Sequence, residues 1–301
     1  MKNKYFIYPA SMLAASLAAA HAQTTTLADW DFDNLASNPA FYLNNSNTPS
    51  ASLGVVGGTA TQLGMNNSYT FANGEGPGSA ANCDILSTGG ASTDPGNTGS
   101  SYGWRIRGNS NTKNSGAGEA NGWNSAAPIG TQGAEFSVNT SMYTDLMLTF
   151  DINATGQAER NLTVEYTLDD TVGSPTWLVA TITSAGSAAT FENNTSSANT
   201  VLGNYVELSG AGTGWNNQIT ATFGAGAAND PNFAFEIVNA STGADCVNTG
   251  GTALNNSSGN WRYDNVDLTG TALAAPEPGT LALAGLGGLS SLLVMRKSRK
   301  A

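Results

Sequence analysis

The sequence predicts an all-β fold, an antiparallel jelly-roll β-sandwich, with an N-terminal signal peptide before it and a single C-terminal hydrophobic helix behind it. Three observations carry that expectation. Between residues 23 and 275 almost no segment repeats its apolar residues at the helical period. Several segments instead alternate apolar and polar residues with a period of two, which gives a strand one dry and one wet face. Gly, Asn, Ser and Thr crowd between those segments, where turns are needed. About 250 residues suffice for one large β domain, and no shift of composition marks a linker inside it.

At the N-terminus Lys2 and Lys4 precede an apolar run from Tyr5 through Ala20, and Ala20-His21-Ala22 reads as a cleavage site. Residues 1–22 are therefore a signal peptide, and the mature chain starts at Gln23. Its removal takes away the only histidine, His21. A mature chain without histidine cannot assemble a Ser-His-Asp or Cys-His site and lacks the commonest ligand for zinc, copper or non-haem iron. Lys113 is the one lysine left, in a Ser/Asn/Gly-rich segment, so the remaining chemistry is that of carboxylates. The two tails hold six of the eleven basic residues but only Glu277 of the 22 acidic ones, leaving five against 21, a net charge of −16. Such a surface repels nucleic acid and anionic membranes and offers oxygen ligands to calcium.

The first mature strand, Leu27–Phe32, sets Asp29, Asp31 and Asp33 on one face and Trp30 and Phe32 on the other. Residues 44–132 carry no helix signal and are too long for one structureless loop, so short strands and ordered loops are expected there, Ser101–Arg107 being the clearest strand. Further on, Leu146, Leu148, Phe150 and Ile152 alternate with polar neighbours, as do Leu162, Val164, Tyr166 and Leu168. The remaining runs are Trp177–Thr183, Asn204–Leu208, Ile219–Phe223, Phe233–Val238 and Trp261–Thr269. First and last strands of such sandwiches lie close together, which places Leu27–Phe32 beside Trp261–Thr269.

Three groups of residues are candidates for sites. Counting back from Val266 and Leu268, Asp264 falls on the inward face, where a carboxylate must be paired, hydrogen-bonded or metal-bound. Either it accepts backbone N–H groups or pairs with Arg262 or Arg160, or it joins Asp31, Asp33 and Asp267 around calcium. Trp104, Trp123 and Trp215 lie among Gly and Asn residues and read either as a glycan-stacking platform or as packing. Cys83 and Cys246, both in loop-like sequence of an exported chain, are expected to form a disulfide. No pattern picks two of the 21 acids as a catalytic pair, so no catalytic residue is assigned and the chain reads as a non-enzyme.

The tail combines Pro276-Glu277-Pro278, an apolar stretch from Thr280 to Met295, and the basic end Arg296-Lys297-Ser298-Arg299-Lys300. Sixteen helical residues span about 24 Å against a hydrocarbon core of about 30 Å, so the transmembrane helix 280–295 holds only poorly. The cations stay cytoplasmic and the rest of the chain faces outward. In order and residue types this tail, residues 276–301, resembles the PEP-CTERM signal of exported bacterial proteins. The resemblance implies transient membrane insertion, cutting by an exosortase-type protease, and release to the cell surface or the extracellular polysaccharide. A weaker one covers Tyr143–Ala272: its strand pattern, closing on Asp264-Asn265-Val266, is similar to jelly-roll domains of exported PEP-CTERM and carbohydrate-binding-like proteins. Together they imply a non-catalytic structural or interaction protein of the cell surface or biofilm matrix. The alternatives are a carbohydrate-binding module and a carboxylate-dependent glycoside-active enzyme.

Overall fold

Alternating sequence becomes paired strands throughout the computed structural model, which describes residues 23–31, 50–51, 53–65, 83–85, 102–107, 123–188, 200–208, 215–256 and 259–273. The signal peptide, Asp33, the Pro276-Glu277-Pro278 motif and the 280–295 span lie outside the described residues. Thr24–Leu273 forms one compact unit.

In chain order the first strands are β1 (Thr24–Trp30), β2 (Thr59–Leu63), β3 (Cys83–Ile85), β4 (Tyr102–Arg107), β5 (Trp123–Asn124), β6 (Gly133–Ser137), β7 (Tyr143–Ala154) and β8 (Asn161–Thr167). They are followed by β9 (Leu178–Val179), β10 (Thr181–Ala188), β11 (Thr200–Leu202), β12 (Tyr205–Glu207), β13 (Trp215–Thr222), β14 (Ala234–Asn239), β15 (Asn255–Asn256) and β16 (Asn260–Ala272). One sheet runs β10-β13-β7-β16-β4-β3, with β1 also on β16. The other runs β11-β12-β8-β14-β6-β2, with β9 also on β8. Both are antiparallel, and a small β5–β15 ladder stands apart. Helical structure among the described residues is confined to two 3-10 turns, Ala225–Ala227 and Gly243–Asp245.

The core lies between the two sheets. Leu146, Leu148, Phe150 and Ile152 of β7 and Leu162, Val164 and Tyr166 of β8 fill it, as their alternation requires. Leu168, expected inward, is exposed because β8 ends at Thr167. The Trp177–Thr183 run divides at Ala180, so that β9 joins one sheet and β10 the other. At the centre Phe136 stacks on Phe235 at 5.0 Å, and Trp30 meets Phe136 edge-on, also at 5.0 Å. Such pairs contribute roughly 0.5–1.5 kcal/mol each beyond the area they bury.

The first and last strands are neighbours: β1 pairs with β16, Asp29 opposite Asp267 and Trp30 opposite Val266. The inward placement of Asp264 is corrected. Trp261 and Tyr263 belong to the core, and so do Val266 and Leu268, so the alternation changes phase between them. Asn265 is the extra residue, at φ 47°, and the register on β7 jumps between Asp264 and Asp267. Asp264 thereby joins the outer face, opposite Asp151 of β7.

Candidate functional site

Asp151 is the centre of the polar cluster on the outer face of the first sheet. Two bulges meet it from opposite sides, one at Asn265 of β16 and one at Gln218 of β13, both with left-handed backbone at φ 47° and 60°. One Asp151 oxygen accepts the Gln218 N–H at 2.7 Å and the other accepts Asn265 Nδ2 at 2.9 Å. Asp264 accepts the Asn265 N–H at 3.0 Å, and Arg262 donates to Asn153 Oδ1 at 2.9 Å. The Asp264-Asn265-Val266 motif is thus a bulge locked onto a neighbouring strand. The structure brings Asp267 opposite Asp29, while Asp31 follows the end of β1. Among the described residues no three Asp, Glu, Cys or His side chains converge as a metal ion requires.

The two named tryptophans whose side chains are described are interior. Trp104 packs on Tyr263 at 5.9 Å and Trp123 on Trp261 at 4.6 Å, and neither has any exposed surface. They have no ring face to offer a sugar, which corrects the platform reading for both. The Trp215 side chain lies outside the described residues.

The expected Cys83–Cys246 bridge is likewise corrected: Cys246 is a free, buried thiol. Its Sγ donates to Glu159 Oε2 at 2.8 Å, while Glu159 Oε1 accepts the Asn161 N–H and Ser241 Oγ. Burial raises the Glu159 carboxyl above its ordinary range, and these donors pull it back. Burial and the facing carboxylate push the thiol far up. Glu159 also receives Trp261 Nε1 on its backbone oxygen at 2.8 Å, so it ties the 241–249 segment to β16. The thiol serves packing and a hydrogen bond, which loop-like flanking sequence concealed.

On the outer face of the second sheet the structure assembles a row that the sequence reading did not single out. Glu135 of β6, Glu236 of β14 and Glu165 of β8 stand directly opposite one another. Burial and its two neighbours raise Glu236 to about 9, and burial with Asp170 raises Glu135 to about 7. Burial also raises Glu165, partly offset by its hydrogen bond with Glu236. The available signal was phase: each glutamate sits between core residues, Ala134 and Phe136, Val164 and Tyr166, Phe235 and Ile237. Beside the row runs an open groove of about 400 Å³, where Ser137 Oγ donates to Asp170 at 2.7 Å and Thr59, Asn139 and Asn232 form the rim.

No characterised protein and no solved structure matches the chain. Among the described residues no helix is long and apolar enough to cross a membrane. Residues 274–300 match the PEP-CTERM protein-sorting motif, beginning two residues after the end of β16. The chain therefore carries a PEP-CTERM sorting motif, and is an exported protein, anchored in the membrane before processing and sorted by an exosortase.

Proposed function

We propose that this protein is a non-catalytic structural or interaction component of the cell surface or extracellular polysaccharide matrix, carried on a jelly-roll sandwich. The observation that carries the reading is the sorting motif at residues 274–300, an address that follows the compact Thr24–Leu273 unit in the chain. Two further features support it. The strand orders β4-β16-β7-β13 and β6-β14-β8-β12 alternate between sheets along the chain, as a jelly roll does. The aromatic side chains that could greet a glycan, Trp104 and Trp123, are spent on the core.

The glycoside-active alternative has its own observation, the facing carboxylates of Glu135, Glu165 and Glu236. A glycosidase pair must flank its substrate with room for a sugar or a water. Glu236 is 1% exposed, so no substrate enters between it and its neighbours. The carbohydrate-binding alternative retains the groove around Ser137 and Asp170.

The test is fractionation of a host expressing the tagged full chain, with and without its exosortase. With the protease, the protein should move from the membrane to the surface or polysaccharide fraction, its C-terminus ending between Ala275 and Pro278. An unchanged distribution, or a surface form that keeps Arg296–Lys300, overturns the sorting step. Hydrolysis of purified matrix polysaccharide by that protein overturns the non-catalytic reading.

A further inference from the structure

The three glutamates of the second sheet raise a problem of charge. Opposite residues on neighbouring antiparallel strands have Cβ atoms about 4.5–5.5 Å apart, where like charges destabilise the pair. Glu236, in the middle, is 1% exposed, and its Oε1 has no hydrogen-bond partner. Gly130 covers it: a Cβ at that position would approach Glu165 Oε2 to 3.2 Å and Glu236 Oε1 to 3.5 Å, and φ +79° makes a side chain there unfavourable as well. An ionised Glu236 would sit beside two more carboxylates, out of water and with no donor for Oε1, which is the costliest state a carboxyl can take.

We propose that the Glu135–Glu236–Glu165 row is a proton-operated latch: while Glu236 shares a carboxyl proton with Glu165, residues 126–131 lie closed on the sheet, and loss of that proton releases them. The two ends of this loop are fixed: Ser125 N–H donates to Leu254 O and its carbonyl accepts Gly243 N–H, while Gln132 accepts Asn124 N–H on its side chain and donates to Met65 Sδ. Between those ends the loop is held through Asn239, whose Oδ1 accepts the Thr131 N–H at 3.0 Å, whose Nδ2 donates to Pro128 O at 3.0 Å and whose backbone oxygen accepts Gly130 N–H at 3.0 Å. Lifting residues 126–131 between the fixed ends would let water reach the row without unpairing a strand.

Among the described residues no neighbouring cation offers another route to neutrality. The 125–132 segment, β2 and β9 carry no titratable side chain. Asp170 adds negative charge beside Glu135, and Tyr263, from the opposite sheet, donates its phenol to Ile237 O at 3.1 Å. Arg160 is paired with Glu207 at 2.9 Å, and Arg262 bonds Asn153. The sign follows from burial. The folded values, about 7 for Glu135 and about 9 for Glu236, stand above the ordinary 4.5, so the folded state holds protons that the unfolded chain has released. Stability from the row is complete below about pH 4.5 and is lost as pH rises toward 9.

The experiment uses the full chain in mild detergent, melted between pH 5 and 9, with amide exchange at Gly130 and Thr131 corrected for its intrinsic pH dependence. The wild type should lose roughly 5–10 °C of melting temperature from pH 5 to pH 8. Protection at Gly130 and Thr131 should fall at least tenfold over that range, ahead of the core of β14. Glu236→Gln, which fixes the neutral form, should remove more than half of both changes. A Glu236→Gln profile parallel to the wild type overturns the proposal, and so does a melting shift with no change in exchange at Gly130 and Thr131. Should Glu236→Gln fail to fold, Glu165→Gln takes its place, removing the facing charge: a flattened profile supports the latch and a parallel one overturns it.

Discussion

Replacing Asn265 separates two contributions that the bulge on β16 combines. Asn265 holds a left-handed backbone at φ 47° and donates Nδ2 to Asp151 at 2.9 Å. Asn265→Ala loses a hydrogen bond to an ionised group, about 1.5–3 kcal/mol, and places a Cβ-bearing residue without a compensating amide at positive φ, about 1 kcal/mol more. Asn265→Gly loses the same hydrogen bond but accepts the backbone, so it should be about 1 kcal/mol less destabilised than Asn265→Ala. Asp151→Ala strands donors on both sides, Gln218 N–H and Asn265 Nδ2, and should cost about 3–5 kcal/mol. The double replacement Asp151→Ala/Asn265→Ala should cost less than the sum, because the two share a bond. On the other side, Gln218 is exposed at φ 60°, so Gln218→Gly should be neutral or stabilising by up to about 1 kcal/mol. Urea denaturation at pH 7 measures all five. Equal losses for Asn265→Ala and Asn265→Gly, or a loss below about 1 kcal/mol for Asp151→Ala, would refute the claim that these contacts hold the bulges.

Three further outcomes follow from the same structure. Cys246, buried and raised by burial and Glu159, should resist a thiol reagent in the native protein and react only on unfolding; rapid native labelling would contradict its placement. Iodide should leave most tryptophan fluorescence unquenched, because Trp30, Trp104, Trp123 and Trp261 are buried and of the described indoles only Trp177 is partly exposed. Chelation should leave the melting curve unchanged, since both Asp151 oxygens and one of Asp264 already accept N–H groups. A chelator-induced fall would instead establish a bound ion and direct attention to Asp33.

The sandwich was legible because burial enforces alternation wherever one sheet face is dry. β8 and β14 emerge from the letters to within a residue and β7 as its central part, Leu146–Ile152, and the nearness of the first and last strands follows from the architecture. What failed was whatever depended on an interruption of that alternation. Counting from Leu268 to Asp264 crosses a bulge, and a single extra residue moves every preceding side chain to the other face. The tryptophans were misread for a related reason. Gly and Asn around Trp104 and Trp123 report how the backbone turns, not whether the ring points out of the sandwich or into it. The glutamate row had only the phase of each residue between core neighbours as a local signal; that the three meet was not legible, because the order β6-β14-β8 joins residues 135, 236 and 165 from distant parts of the chain.

The way this protein handles its acids links these cases. With five basic residues against 21 acidic ones between 23 and 275, few carboxylates can find a cation, and Arg160–Glu207 is such a pair near the surface. The buried acids are therefore neutralised by other means, each with a structural cost of its own. Asp151 draws N–H donors from two bulges, which requires left-handed residues at 218 and 265. Glu159 collects a backbone N–H, a serine hydroxyl and a thiol, which requires Cys246 to be a free thiol in the interior. Glu236, with an oxygen that no donor reaches, has a proton as its remaining option. Burial raises the Glu159 carboxyl as well, but its donors pull it back. At Glu236 burial and the neighbouring carboxylates act in the same direction, which makes the second sheet the part of the molecule whose stability should respond most to pH between about 5 and 9.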